Sequence, residues 1–169
     1  MTFLPHDGLF SAIIFLVDAI DRSILRELQA EGRLANNALA DRVRLSPSPC
    51  LRRLKRLEGN GTIRGYRAVV DRRRIGLGLT LFLEVKVGGH SRERAREFEA
   101  AVMQVDAVIA CHVLAGTADF LLEIVVPDLA AYERLLLDTL LVLPGVIDVR
   151  SNIAIRTIKE SAPLPLDAA

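Results

Sequence analysis

The stretch Leu45-Ser46-Pro47-Ser48-Pro49-Cys50-Leu51-Arg52-Arg53-Leu54-Lys55-Arg56-Leu57-Glu58 decides the reading of this 169-residue chain. A serine N-cap followed by proline at the first helical position is a strong helix start, because proline lacks only an N–H that would have no partner there. The spacing predicts a helix to about Glu58 with Leu51, Leu54 and Leu57 on its inner face. Arg52, Arg53, Lys55 and Arg56 fall between those leucines and are expected to point outward. A helix that reads DNA needs this division, one face holding it to a scaffold and the other offering cations to phosphates and base edges. The Ser46 and Ser48 hydroxyls and free N–H groups at the helix start suit phosphate oxygens. The alternative, a solvated basic helix without a partner, explains the charge but neither the cap nor the spacing.

Upstream, residues 18–31 read as a helix with Asp18 as N-cap and an apolar stripe of Ile20, Ile24, Leu25 and Leu28. Gly32 ends it, and Asn36 or Asn37 caps a short second helix with Leu39, Ala40 and Val43 inward. A short helix, a turn of about three residues and a polar-faced helix is helix-turn-helix spacing. The charge distribution agrees with it. Eleven Lys/Arg against three acids lie between Asp41 and Arg74, a local excess of eight in a chain of net charge +1. One polyanion-facing segment is implied, and double-stranded DNA is the expected partner. Its contacts are assigned to Arg42, Arg44, Ser46, Ser48, Arg52, Arg53, Lys55 and Arg56.

Downstream, Gly59-Asn60-Gly61 breaks the third helix, residues 62–70 read as a strand, and residues 71–78 as a hinge. The second half alternates. Residues 80–87 place Leu81, Leu83, Val85 and Val87 on one face, with Glu84 and Lys86 on the other. Residues 92–105 form an amphipathic helix with Ala95, Phe98 and Val102 inward. Two strands, 108–115 and 119–126, flank a tight Gly116-Thr117-Ala118 turn. Asp128 caps a helix that ends at Pro144-Gly145, and a strand follows from Ile147. The order β-α-β-β-α-β is the ferredoxin-like unit, so the fold class is α+β, an all-α winged-type helix-turn-helix followed by a ferredoxin-like sandwich. Two helices cover one face of such a sheet. The other face is expected to be apolar and to need a partner, hence a dimer.

Catalytic and metal chemistry find little support. Cys50 and Cys111 lack the clustering of a metal site or disulfide framework, and Cys50 reads as a packing residue. His6, His90 and His112 have no acidic companions at motif distance, and His112 is expected to be buried on an apolar strand. No catalytic residue, metal site or cofactor is assigned, and the chain is read as not an enzyme. The apolar run 9–17 is too short for a membrane span and lacks the flanks of a signal peptide. It leaves two readings open, a helix face that packs on the domain or on a partner, or a misassigned start. A cytoplasmic location is expected.

The runs 17–25, 45–58 and 63–68, with Gly116-Thr117-Ala118-Asp119-Phe120 and Leu143-Pro144-Gly145-Val146, resemble the Lrp/AsnC regulators, the feast/famine transcription factors. The resemblance covers about residues 17–159. It implies five segments: an extension 1–16, a DNA-binding domain 17–61, a linking strand and hinge 62–78, a ligand-sensing and oligomerising domain 79–159, and a tail 160–169. It also implies a homodimer that assembles further, commonly to an octamer. A small effector, usually an amino acid, is expected at the hairpin that matches Ala115, Gly116, Thr117, Ala118 and Asp119. Read from the residues alone, that hairpin is a turn. The family often has glycine before Leu45, where this chain has Arg44, so a left-handed residue there would carry a steric cost. A rival reading from the same architecture is an enzyme resembling the siroheme decarboxylases, which has no use for four cations on the third helix.

Overall fold

Asp18 starts the first helix as expected, and its capping is reciprocal. In the computed structural model, which describes residues 17–89, 92–160 and 162–166, α1 spans Ala19–Ala30. Asp18 Oδ1 accepts from the Asp21 N–H at 2.8 Å, and Asp21 Oδ2 accepts from the Asp18 N–H at 3.3 Å. This is a capping box with aspartate in the third position. The readings of residues 1–16 and of His90 lie outside the described residues.

Helices α2 (Asn36–Arg42) and α3 (Pro47–Gly59) complete the three-helix unit around Ile24, Leu39, Ala40, Val43, Cys50 and Leu57. Two expectations change here. Ala35 is the cap of α2, and Asn36 is its first residue, its Nδ2 donating to the Pro47 carbonyl at 3.0 Å. That bond ties α2 to the start of α3. On α3 the inward stripe is Cys50, Leu54 and Leu57, at the four- and three-residue steps of one helix face, while Leu51 is exposed. Cys50 is therefore a packing residue, and burial pushes its thiol pKa up.

Residues 62–70 form no ladder among the described residues, 62 and 63 being bends, and Val69 is 91% exposed. Alternation supplies the shape of a strand; only a neighbouring strand supplies its hydrogen bonds. The chain divides at Ala68/Val69, within the segment 62–78, and residues 162–166 group with the three-helix unit.

The second unit, Val69–Glu160, is built on β1 (Leu79–Val87), α4 (Arg92–Val102), β2 (Val108–Val113), β3 (Phe120–Val126), α5 (Leu129–Asp138) and β4 (Val146–Ile153). The sheet order is β2-β3-β1-β4, with antiparallel neighbours. Pairings Leu81↔Ile124, Leu83↔Leu122 and Val85↔Phe120 put one apolar face under the helices. There the Phe98 and Phe120 rings lie 4.5 Å apart, and the Tyr132 hydroxyl meets Ser151 Oγ at 2.5 Å. Asp128 caps α5 as read, its Oδ1 accepting from the Ala131 N–H at 2.8 Å. The helix stops at Asp138, and a 3-10 turn, Leu140–Val142, leads to Pro144.

The opposite sheet face is not the bare apolar surface expected. Register places Phe82, Leu121 and Val125 there beside Glu84, Lys86, Glu123, Asp148, Arg150 and Asn152. His112 pairs with Leu121 on this face and is exposed, because a one-residue step along a strand reverses the side chain. Arg72 braces the same face, reaching Glu123 at 3.0 Å and Glu160 at 2.7 Å. Among the described residues no helix is long and apolar enough to cross a membrane, and no group of three metal-capable side chains forms.

Candidate nucleic-acid interface and effector hairpin

The turn between α2 and α3 closes as a Schellman motif. The Leu45 N–H donates to the Ala40 carbonyl at 2.9 Å and the Arg44 N–H to the Asp41 carbonyl at 3.2 Å. Such a closure needs a left-handed residue, and Arg44 supplies it with φ 56°. The steric cost expected from the sequence is therefore present, on the order of 1 kcal/mol. Its consequence is that an exposed guanidinium stands at the mouth of the turn, directly before α3.

Helix α3 begins with Ser46 as N-cap and Pro47 at the first position, as read, yet the Ser46 hydroxyl makes no capping bond. Pro47 and Pro49 remove two of the first three N–H groups, so Ser48 alone offers one to an anion. The Ser46 and Ser48 side chains are exposed at this end.

The cations of α3 do not form one outward row. Arg53 Nη1 lies 2.5 Å from Asp18 Oδ2 and 2.9 Å from Asp21 Oδ1, and Arg56 Nη2 bonds the other Asp21 oxygen. Asp21 is fully buried, so both arginines are drawn against α1 to neutralise it. Arg42 likewise bridges Glu27 at 3.2 Å and Glu31 at 2.9 Å. Both pairings hold the guanidinium pKa values up, Arg53 through Asp18 then Asp21 and Arg42 through Glu31 then Glu27. The reading of Arg53 as outward-pointing is thus corrected: a helical wheel shows which side chains lie between the leucines, not which carboxylates stand on the neighbouring helix. Arg44, Arg52 and Lys55 are exposed and enter no ion pair among the described residues.

In the second unit, β2 and β3 are joined by six residues, a wider connection than the tight turn expected, and Ala115, Gly116 and Thr117 are exposed along it. Asp119 is a brace. Its Oδ2 accepts from the Val87 N–H at 2.8 Å, its N–H donates to the Val85 carbonyl at 3.0 Å, and its carbonyl accepts from Leu114 at 2.8 Å. Gly116 has no positive φ, and a Cβ there would meet nothing within 4 Å. The backbone of this chain therefore does not itself require glycine at 116.

Beside the connection lies a cavity of about 150 Å³ lined by Glu84, Lys86, Thr117, Ala118, Asp148 and Arg150. Glu84 is directly opposite Arg150, and Lys86 opposite Asp148. Two carboxylates, two cations and a hydroxyl around one small space match the two charges of a zwitterion. Sequence reading missed these four charged residues. Their signal was the polar phase of the alternation on β1 and β4, which reads equally well as a solvated face.

Comparison with known proteins bears on both regions. Residues 17–64 match the winged helix-turn-helix DNA-binding model, and residues 80–164 match the Lrp/AsnC ligand binding domain. The leucine-responsive regulatory protein of Salmonella typhimurium is 42% identical over 145 residues, covering 86% of this chain and 88% of that one. A transcriptional regulator of Neisseria meningitidis, solved as a complex with L-methionine, superimposes with a TM-score of 0.85 at 40% identity, covering 89% of this chain and 97% of that one. The feast or famine regulatory protein of M. tuberculosis, also complexed with L-methionine, gives 0.78 at 30% identity, covering 85% and 95%. These relatives lend no support to the decarboxylase reading.

Proposed function

This chain belongs to the Lrp/AsnC family and is a DNA-binding transcriptional regulator, and from that premise we propose how it reads DNA and what it senses. DNA is met by the exposed set at the turn and along α3: Arg44, Ser46, Ser48, Arg52 and Lys55. The observation that carries this choice is the ion-pair network, which commits Arg53 and Arg56 to Asp21 and Arg42 to two glutamates. Those three arginines hold the scaffold, and their neighbours face the phosphates.

The effector is an α-amino acid held at the hairpin Ala115 to Asp119. Backbone groups around Gly116 and Thr117 meet it, with the paired charges of Glu84, Lys86, Asp148 and Arg150 facing its ammonium and carboxylate. Asp119 holds the connection to β1 and does not touch the ligand. The methionine complexes of the two solved relatives support the ligand class. The working assembly is a homodimer that builds to an octamer, and the mixed outer sheet face matches a partner with complementary charge better than a purely apolar one. The segments 17–61, 62–78 and 79–159 divide the roles of DNA binding, linking and sensing. In vitro selection of bound DNA, repeated with each of the twenty amino acids, tests the whole reading. A single enriched site whose occupancy responds to one amino acid is expected. Enrichment of no sequence would overturn the DNA assignment, and indifference to all twenty would overturn the effector.

A further inference from the structure

The segment Ala162-Pro163-Leu164-Pro165-Leu166 follows the ferredoxin-like unit in sequence but belongs to the helix-turn-helix unit in space. Its contact is specific. The Leu164 N–H donates to Gln29 Oε1 at 2.6 Å, and Gln29 Nε2 donates back to the Leu164 carbonyl at 3.4 Å. The side-chain amide of Gln29 thus acts on Leu164 as the backbone of an adjacent strand would. Pro163 and Pro165 have no N–H, so the donor used is the one this Pro-Leu-Pro run possesses. Prolines on both sides also keep the segment extended before it docks, which lowers the ordering cost of docking.

Beside it lies a groove of about 820 Å³ with Leu25 and Leu28 of α1 and Ile63 and Tyr66 of the segment after α3 on its walls, and the tail closes one side of it through Ala162, Leu164 and Leu166. Tyr66 is fixed at the other end by its hydroxyl, which donates to Glu58 Oε1 at 2.9 Å. Arg64 and Arg67 sit on the same segment and are exposed. Leu164 itself is 70% exposed, so the two hydrogen bonds of Gln29 carry the docking, and the half-buried Leu166 lines the same groove.

We propose that the chain's own Pro-Leu-Pro-Leu tail docks on α1 through Gln29 as one wall of this groove, and that this docking holds the segment bearing Arg64 and Arg67, which forms another wall, for DNA. The inference rests on the DNA-binding reading for its last step only. The DNA-binding unit is then discontinuous in sequence: α1 to α3 and residues 62–68, completed by residues 162–166.

The test uses the full chain and three variants, Gln29→Ala, Leu166→Gly and the double variant. Exchange of the Leu164 amide is compared with a free peptide of residues 161–169, and DNA affinity is measured alongside. In the parent protein that amide should exchange at least about fivefold more slowly than in the peptide, the protection one hydrogen bond gives. Gln29→Ala should remove the protection. Each single variant should weaken DNA binding by about fivefold, and the double variant no further, because both break one contact. Peptide-like exchange in the parent protein would overturn the docking. Protection that grows with protein concentration would assign the tail to a second copy and overturn the occupant proposed. Lost protection with unchanged DNA affinity, or additive losses in the double variant, would overturn the coupling. Exchange is read without DNA, so a protein that bound no duplex would sink the DNA-binding reading while leaving the docking result standing.

Discussion

Arg53 of α3 and Asp21 of α1 meet at 2.9 Å, and Asp21 has no exposed surface. A buried carboxylate is tolerated because two arginines of the recognition helix reach it and because it also completes the cap of α1. One residue therefore joins the start of the first helix to the middle of the third. The same contact draws the Arg53 and Arg56 guanidinium groups toward α1.

The two classes of arginine should separate on mutation. Asp21→Ala removes the carboxylate shared by Arg53 and Arg56 together with half of the α1 capping box, and should destabilise the DNA-binding unit by about 2 kcal/mol. Arg52→Ala should change stability by less than about 0.5 kcal/mol yet lower the slope of log affinity against log salt by about 0.9, one phosphate contact. Denaturation curves and binding at several salt concentrations measure both. An unchanged slope for Arg52→Ala would remove that residue from the interface.

Arg44 gives a prediction of opposite sign. Arg44→Gly relieves the left-handed strain and should stabilise the unit by up to about 1 kcal/mol, since glycine's greater unfolded-state freedom offsets part of the gain. DNA affinity should fall at the same time because the guanidinium is gone. A thermal midpoint that drops in Arg44→Gly would contradict the strain argument.

Asp18 sets an acid limit. The Asp21 N–H, and after it the Arg53 guanidinium, hold the Asp18 carboxyl below its ordinary range. A carboxylate whose folded pKa is depressed contributes stability that is complete above its unfolded value and fades as pH falls through the folded one. The DNA-binding unit should therefore lose stability below about pH 4, and Asp18→Asn should flatten that part of the profile. Equal acid sensitivity in the variant would place the effect elsewhere.

Two glycines of the second unit should behave differently. Gly145 has φ 75°, and a Cβ there would lie 2.8 Å from Val87 Cγ1, so Gly145→Ala should cost about 2 kcal/mol through strain and crowding. Gly116→Val meets open space and should leave stability within about 0.5 kcal/mol while abolishing amino-acid binding. Calorimetry against the twenty amino acids checks the second half of this statement. Full binding by Gly116→Val would move the effector away from the hairpin.

Asp119→Ala should loosen the hairpin by about 1 kcal/mol, the worth of the bond to the Val87 N–H, and should weaken the effector only through that loosening. Low temperature should therefore restore more of its binding than it restores to Gly116→Val.

The elements of this fold were legible in the residues because they rest on local chemistry. Asp18, Ser46 with Pro47, and Asp128 announce their helices, and the alternation around Leu81, Leu83 and Val85 announces β1 with its buried face. The left-handed backbone of Arg44 could be foreseen only through the family resemblance, which puts glycine at that turn. Partners were not legible. Whether an arginine between two leucines faces DNA or a carboxylate depends on Asp21, 32 positions away in sequence from Arg53. Whether Glu84 is solvated or faces Arg150 depends on the register of β1 with β4. The tail's seat on Gln29 spans 135 positions. Periodicity and capping act within a few residues and so are written in the chain itself, whereas charge pairing and docking act through space, and only the packed structure decides which distant groups come within 3 Å of each other.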